Sequence, residues 1–524
     1  MPPTKRRFNT TGPCIANEHY MLPAQQRCAD LMPLVEQKSY FVVHAARQSG
    51  KTTTIRDVVN HLNRNGRYYA LYCSLETMQG CNDERMGIPQ IIQVIKSAIG
   101  HSDLTTPREF GIPVNSSNCS IAAKDSFSSF CAMLDKPLVV MFDEVDCLSN
   151  GVLISFLCQL RNGYIERDRT PFIHSLALVG MRNIRDYKGT VRDDSSTLGS
   201  ASPFNIVKES LTLRDFSRDE VAALYGQHAQ DTGQAFPSDA IDRAFYLTQG
   251  QPWLVNAIAM EIVERILRDD TTHSISAAHV GQAAERIIQR RDTHIDSLLE
   301  RLKEKRVQRI IEPVLTGESG RVNPLNDDFA YCLDLGLIKS IDGRATPANP
   351  IYGEVIARTL SYRTQMEMAE ARLPIALERF MTNGRLDIHV LLSDFQKFWR
   401  ENSAIWVEKY QYKEAAPLLV LQAFLQRVLN GGGSIGREYA AGRGRTDLCI
   451  DFKGSRYVVE LKIRRDAKAI EKGVEQLAEY LDTLGEKEGS LVIFDRRPRI
   501  PWKQRLFSRT RKTKAGHIIR IFGC

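Results

Sequence analysis

The chain has 524 residues, 43% of them hydrophobic and 25% charged, with a net charge of +8. That length allows about three or four domains, each with its own core, and the composition is that of an ordinary globular protein. No apolar run approaches the roughly 18 residues needed to span a bilayer, the basic N-terminus lacks an apolar h-region, and the eleven Cys show no C-x-x-C pair or Cys/His ligand spacing. These features exclude a membrane span, a secretory leader, a disulfide scaffold and a zinc site, and predict a cytoplasmic protein with reduced thiols.

Residues 1–11 read as a disordered basic arm, and 12–37 as a strap holding Asn17-Glu18-His19-Tyr20. The stretch SYFVVHAARQSGKTT at 39–53 then places an apolar strand, a small-residue turn and a helix in succession. In that context Gly50-Lys51-Thr52 reads as a phosphate loop, with Ala45, Ala46, Arg47, Gln48, Ser49, Gly50, Lys51, Thr52 and Thr53 as the nucleotide-binding residues. Backbone N–H groups at the helix start would face an anion, Lys51 would supply a point charge, and the Thr52 hydroxyl would ligate Mg²⁺. The pattern asks for Gly at its first position and finds Ala45, which suits a turn of negative φ.

Strands are predicted at 67–74, 136–146 and 172–182, with a helix near 89–99 and a loop at 115–120. KPLVVMFDEVD has the form of a second nucleotide motif, an apolar strand ending in two acids. Asp143 would hold Mg²⁺ through water, and Glu144 would orient and activate the water that attacks the γ-phosphate. From about Leu211 the chain turns helical, with Ser217 and Glu220 in capping-box positions, and Gly250-Gln251-Pro252 separates two helices.

Together the loop, the acid pair, the G-x-R turn at Arg182 and the G-x-P motif resemble STAND/AAA+-type ATPases over about 12–290. The resemblance implies that Pro252 lies against the nucleotide and that Arg182 senses its phosphate. Asn183 stands where the family often has Asp.

Residues 297–362 read as a winged-helix module with its wing turn at Gly343, and 363–411 as a helical connector. Beyond an apolar helix at 414–430, strands at 446–452 and 456–463 form a hairpin turning at Gly454. That register puts Asp447 almost opposite Glu460, and Lys462 shares a face with Glu460. Two acids can hold one or two Mg²⁺ ions that activate water and stabilise a pentavalent phosphate, with the lysine assisting.

Over about 412–524 the order G-R-G-R-x-D, E-x-K and Q-x-x-x-Y resembles the RecB-like branch of the PD-(D/E)XK nucleases. The resemblance implies that Asp447, Glu460 and Lys462 are catalytic, the two acids being metal ligands, with Gln476 and Tyr480 in support. It also offers Glu438 as an extra acid, and Arg443, Arg445 and Tyr480 as nucleic-acid contacts. The last thirty residues carry ten Lys and Arg against one acid, Asp495, a charge excess suited to phosphate or to a solvated face.

The expected fold is α/β: a P-loop NTPase with a parallel sheet (12–207), a helical lid (208–296) and a winged-helix module, plus a C-terminal mixed α/β restriction-endonuclease-like domain. The expected function is an ATP-controlled, Mg²⁺-dependent nuclease acting on nucleic acid, DNA before RNA, assembled as a homo-oligomer. The resemblance adds a role in defence against phage or mobile elements. The alternative is a nucleotide-switched DNA- or protein-binding scaffold with an inactive nuclease fold.

Overall fold

The computed structural model describes residues 6–23, 27–102, 109–115, 117–180, 205–290, 292–315, 323, 325–370, 377–408, 416–429, 433–441, 444–464, 468–497 and 500–524. The chain divides into two compact units, one of Met1–Arg290 with Pro324–Leu337 and one of Arg291–Asn323 with Ile338–Cys524.

In the first unit, β1 (Tyr40–His44), β2 (Tyr69–Ser74), β3 (Leu138–Asp143), β4 (Ser175–Gly180) and β5 (Val207–Thr212) form a parallel sheet ordered β2-β3-β4-β1-β5. The helices α1 (Leu31–Glu36) and α2 (Lys51–Asn65) pack on one face with Phe41, Val43, Val139 and Met141. On the other face α3 (Glu84–His101), α4 (Ala122–Ala132) and α5 (Asn150–Glu166) pack with Tyr40, Val42, Val140 and Phe142. Covering both faces is why β1 and β3 read as unbroken apolar runs. β5 is the strand the sequence concealed. At the sheet edge none of its residues VKESLT is buried, so no apolar run marks it, and 207–212 is a strand where a helical region was expected to begin.

The segment expected to be a helical lid holds α6 (Arg218–Thr232), α7 (Ser238–Thr248), α8 (Pro252–Met260) and α9 (Ala277–Arg290). The expected capping box is present: Ser217 accepts from Glu220 N–H, and the Glu220 side chain accepts from Ser217 N–H. Glu261, 2% exposed, is matched by Arg265, Arg286 and Arg290. The N-terminal segment is not a loose arm in residues 6–11. Phe8 is buried among Tyr20, Tyr225, His228 and Phe236, while Arg6 pairs with Asp231 at 2.8 Å. The basic flank hid one aromatic anchor.

The second unit contains α10 (Thr293–Arg301), α11 (Lys305–Leu315), the hairpin β6 (Ile338–Ile341) and β7 (Arg344–Pro347), and α13 (Pro350–Glu370). The intervening α12 (Asp327–Asp334) belongs to the first unit. After the small hairpin β8 (Met381–Thr382) and β9 (Arg385–Leu386) come α14 (Ile388–Glu408) and α15 (Ala416–Leu429).

A six-stranded sheet follows: β10 (Gly433–Ala441), β11 (Gly444–Phe452), β12 (Ser455–Arg464), β13 (Glu488–Asp495), β14 (Phe507–Lys512) and β15 (Ile518–Gly523), in the order β10-β11-β12-β13-β15-β14. β10 through β12 run antiparallel, and α16 (Ala469–Leu484) crosses over to make β13 parallel to β12. The expected connector does not stand apart from this sheet. Phe395, Phe398 and Trp399 of α14 share one core with Leu448, Val459, Phe494 and Phe522. All eleven cysteines are free, and five are buried.

Candidate functional site

The phosphate loop leaves β1 between its two parallel neighbours, β4 and β5, and enters α2 at Lys51. Gly50 takes φ +82°, the left-handed turn that starts the helix. Ala45 is not among the positive-φ residues, so the absent first Gly costs no strain. Lys51 is 6% exposed and folds back to donate to the carbonyls of Ala45 (2.9 Å) and Ala46 (3.0 Å). Burial lowers its pKa, an effect opposed by Glu144 and Asp143. Thr52 Oγ1 donates to Asp143 Oδ2 at 2.7 Å, joining the two motifs directly.

Asp143 is fully buried and also accepts from Tyr72 Oη (2.9 Å). Glu144 is half-buried at φ +55°, and burial and Asp143 both raise its pKa while Lys51 lowers it. Ser49 Oγ is buried with no hydrogen-bond partner, an orphaned donor inside the loop. The Thr52–Asp143 oxygen pair fits a hydrated Mg²⁺, and the loop with its orphaned hydroxyl fits phosphate oxygens. Thr53 faces elsewhere, accepting from Cys14 N–H of the strap at 3.0 Å. Arg47 is exposed. Arg182 lies outside the described residues.

Four further residues gather here that sequence reasoning missed. Asp146 sits against β4, its Oδ2 2.6 Å from where a Cβ on Gly180 would lie, and it raises the pKa of Glu144. Arg27, 9% exposed, donates to Ser49 O (3.1 Å), Thr54 Oγ1 (3.2 Å) and Arg214 O (2.7 Å), and stacks over Phe216. Gln251, rather than Pro252, bonds to the loop: its Nε2 donates to Gln48 O (3.3 Å) while its Oε1 accepts from Leu254 N–H. Pro252 is the buried first residue of α8. Gly250 has φ +79°, and a Cβ there would meet Phe216 O at 1.9 Å, so only Gly fits. The fourth is Gly336, just past α12, which packs on Ala46. Of these, only Asp146, in the run DEVD, and Gln251, inside G-x-P, carried any sequence signal.

In the C-terminal sheet, β11 and β12 pair from Phe452 opposite Ser455 to Leu448 opposite Val459, and Asp447 and Glu460 are the next residues along their strands beyond that last pair. Only the backbone of Glu438, Arg445 and Asp447 is described, and Arg443 lies outside the described residues. Glu460 is completely buried and accepts from Lys462 Nζ at 2.7 Å. Val459 faces the α14–α15 core, whereas Leu491 and Ile493, level with Glu460 and Lys462, face α16. Both faces are therefore covered, and Glu460 is less open than a hairpin with one wet face would make it. On α16, Gln476 Nε2 donates to Tyr480 Oη at 3.0 Å, and Tyr480 is buried. Among the described residues no three His, Cys, Asp or Glu cluster as metal ligands. The Glu460–Lys462 pair is the described part of the expected acid–acid–lysine set, and Asp447 lies one residue beyond the paired stretch of β11.

The strand order β2-β3-β4-β1-β5, with the loop after β1 and the acids ending β3, defines a P-loop α/β domain. No protein-family model and no curated protein matches the chain. Among solved structures it is similar to a Walker-type ATPase of Pyrococcus abyssi, at 13% identity and TM-score 0.46 over 67% of this chain and 99% of that one. It is also similar to the Aeropyrum pernix ORC1 protein in complex with DNA, at 14% identity and TM-score 0.34 over 68% and 95%. The Thermotoga maritima RuvB Holliday junction branch migration motor follows, at 13% and 0.32 over 62% and 90%. No helix among the described residues is long and apolar enough to cross a membrane.

Proposed function

We propose that this protein binds and hydrolyses ATP with Mg²⁺ at the Lys51 loop, and that nucleotide state controls a Mg²⁺-dependent nuclease in the C-terminal sheet, with DNA as substrate. The observation that carries the first half is the Thr52–Asp143 contact of 2.7 Å beside the buried Lys51. Thr52 and Asp143 would hold Mg²⁺, which when bound would supply neutralisation of the charge that develops on the phosphate. Lys51 then leaves the carbonyls of Ala45 and Ala46 for the phosphates. Glu144 orients the attacking water, and Asp143 fixes Thr52.

In the second half, Glu460 and the neighbouring Asp447 would hold Mg²⁺, the metal supplying an activated water and charge stabilisation. Lys462, already 2.7 Å from Glu460, steadies the charge there. Assembly into a homo-oligomer and a role in defence against mobile elements belong to the same reading and rest on resemblance.

Glu460→Ala is expected to abolish cleavage of DNA with ATP hydrolysis retained. Lys51→Ala should remove nucleotide control without touching the cutting residues. Cleavage that survives Glu460→Ala ends the nuclease half, and unchanged regulation in Lys51→Ala ends the link. The full burial of Glu460 favours one rival, a nucleotide-switched scaffold whose nuclease fold is inactive. Mg²⁺-dependent cutting by the whole chain excludes it.

A further inference from the structure

We infer that the exposed edge strand β14, with the turn that follows it, is a binding surface for the phosphate backbone of duplex DNA. The inference takes its substrate class from the nuclease reading but stands on different residues. Residues 496–514 hold nine Lys and Arg and no Asp or Glu. β14 is the last strand of its sheet, bonded only to β15, and Ser508 through Lys512 are all exposed. One of its cations is neutralised, since Arg511 pairs with Glu471 at 2.7 Å. Arg509, Lys512 and Lys514 are exposed and form no ion pair among the described residues. Uncompensated charge on an outer edge is what a polyanion neutralises on binding, releasing counterions.

Two details choose the backbone of a duplex over the bases of a single strand. Aromatic residues among cations suit base stacking only while their faces are free. Here Arg505 lies over the Trp502 ring at 5.4 Å and Arg509 over the Phe507 ring at 5.0 Å. Those rings orient guanidinium groups instead. The sheet register supplies the second detail. Glu460 is level with Leu491, Leu491 with Ile521, and Ile521 with Arg509. Three strand spacings separate Glu460 from Arg509, about 14 Å, or roughly four base pairs along B-DNA. A duplex cut near Glu460 would thus run its backbone over β14. The rival use of these charges is to keep an edge strand from pairing with another chain.

The test measures fluorescence anisotropy of two unrelated 30-base-pair duplexes, and of one single strand, with the full-length protein in EDTA so that nothing is cut. The comparison is with Arg509→Gln/Lys512→Gln/Lys514→Gln, whose thermal midpoint should match the wild type because all three side chains are exposed. The triple variant should bind both duplexes about tenfold or more weakly at 100 mM salt. Its slope of log K against log salt should be shallower by roughly 2–3, near 0.9 per lost phosphate contact. Unchanged affinity and slope, no duplex binding by the wild type, or tighter binding of the single strand would each overturn the inference. Failure of the nuclease reading looks different: Glu460→Gln then leaves cleavage intact while the triple variant still loses affinity.

Discussion

Gly336 packs against Ala46 so closely that the Cβ it lacks would lie 2.5 Å from the Ala46 Cβ. Gly336 closes α12 in the left-handed conformation, φ +69°, with its N–H on Leu333 O and the next N–H on Cys332 O. The same Ala46 offers its carbonyl to Lys51 at 3.0 Å. His44, at the end of β1, adds a second tie, 3.0 Å from Thr212 and 3.8 Å from Asp334 of α12. The turn after α12 therefore leans on the same Ala46 whose carbonyl accepts from Lys51.

Gly336→Ala should weaken ATP binding by about tenfold and cost about 2–4 kcal/mol of stability, from left-handed strain plus overlap with the loop. Gly343→Ala is the control. It has φ +74° but open space around its Cβ, so it should cost only about 1–2 kcal/mol and leave ATP affinity unchanged. Calorimetric titration with ATP and thermal melts of both variants would read this. Equal ATP affinity in the two would remove any role for the contact.

What the sequence made legible here was local chemistry. The apolar runs of β1 and β3, the Gly50 turn, the acid pair and the Gly454 hairpin all announce themselves within a few residues. Arg27 and Gly336 did not, because each acts on a segment far away in the chain, and a lone Arg or Gly has no period. The aromatic side of α14 was read as a connector for the same reason: its partners Leu448, Phe494 and Phe522 are 50 to more than 120 residues distant in sequence. β5 failed differently. Its exposed edge gives it the composition of a loop.

Arg27 holds the back of the phosphate loop. Burial pushes its pKa down to about 10, so it remains charged at neutral pH while donating to Ser49 O, Thr54 Oγ1 and Arg214 O. Arg27→Met would leave two carbonyls without their charged donor at an expected cost of about 2–4 kcal/mol. Arg27→Lys should recover less than half of that, because one ammonium cannot reproduce the planar fork. Urea unfolding of the three proteins checks the order. A lysine variant as stable as wild type would show that charge alone suffices there.

Asp495, 3% exposed, ends β13 between Arg497 at 2.7 Å and Arg464 at 3.6 Å. Burial pulls its pKa up, but the Arg497 hydrogen bonds and the two positive charges hold it below the ordinary 3.8. A carboxylate with a lowered folded-state pKa binds fewer protons when folded. Its contribution is therefore complete above 3.8 and lost as pH falls through the folded value. Arg497→Met should lower stability by about 1–2 kcal/mol between pH 5 and 8. Below pH 4 that gap should narrow. Denaturant melts across pH 2.5–7 give the answer, and a gap that persists undiminished at the acid end contradicts the assignment.

Glu144 makes the opposite prediction, with activity as the readout. Burial and the charge of Asp143 raise its pKa above the ordinary 4.5, Asp146 raises it further, and Lys51 pulls it down. A residue that orients water must be ionised, so ATP hydrolysis should fall as pH drops through this raised value. Removing the Asp146 charge with Asp146→Asn eases the repulsion, so the acidic limb of the rate profile should move to lower pH. Glu144→Gln should lose hydrolysis by about 10²-fold or more while still binding ATP. A profile between pH 5 and 8 that stays put, or moves upward, in Asp146→Asn would mean that another group sets the limb. Retained hydrolysis in Glu144→Gln would take the water-orienting role away from this residue altogether.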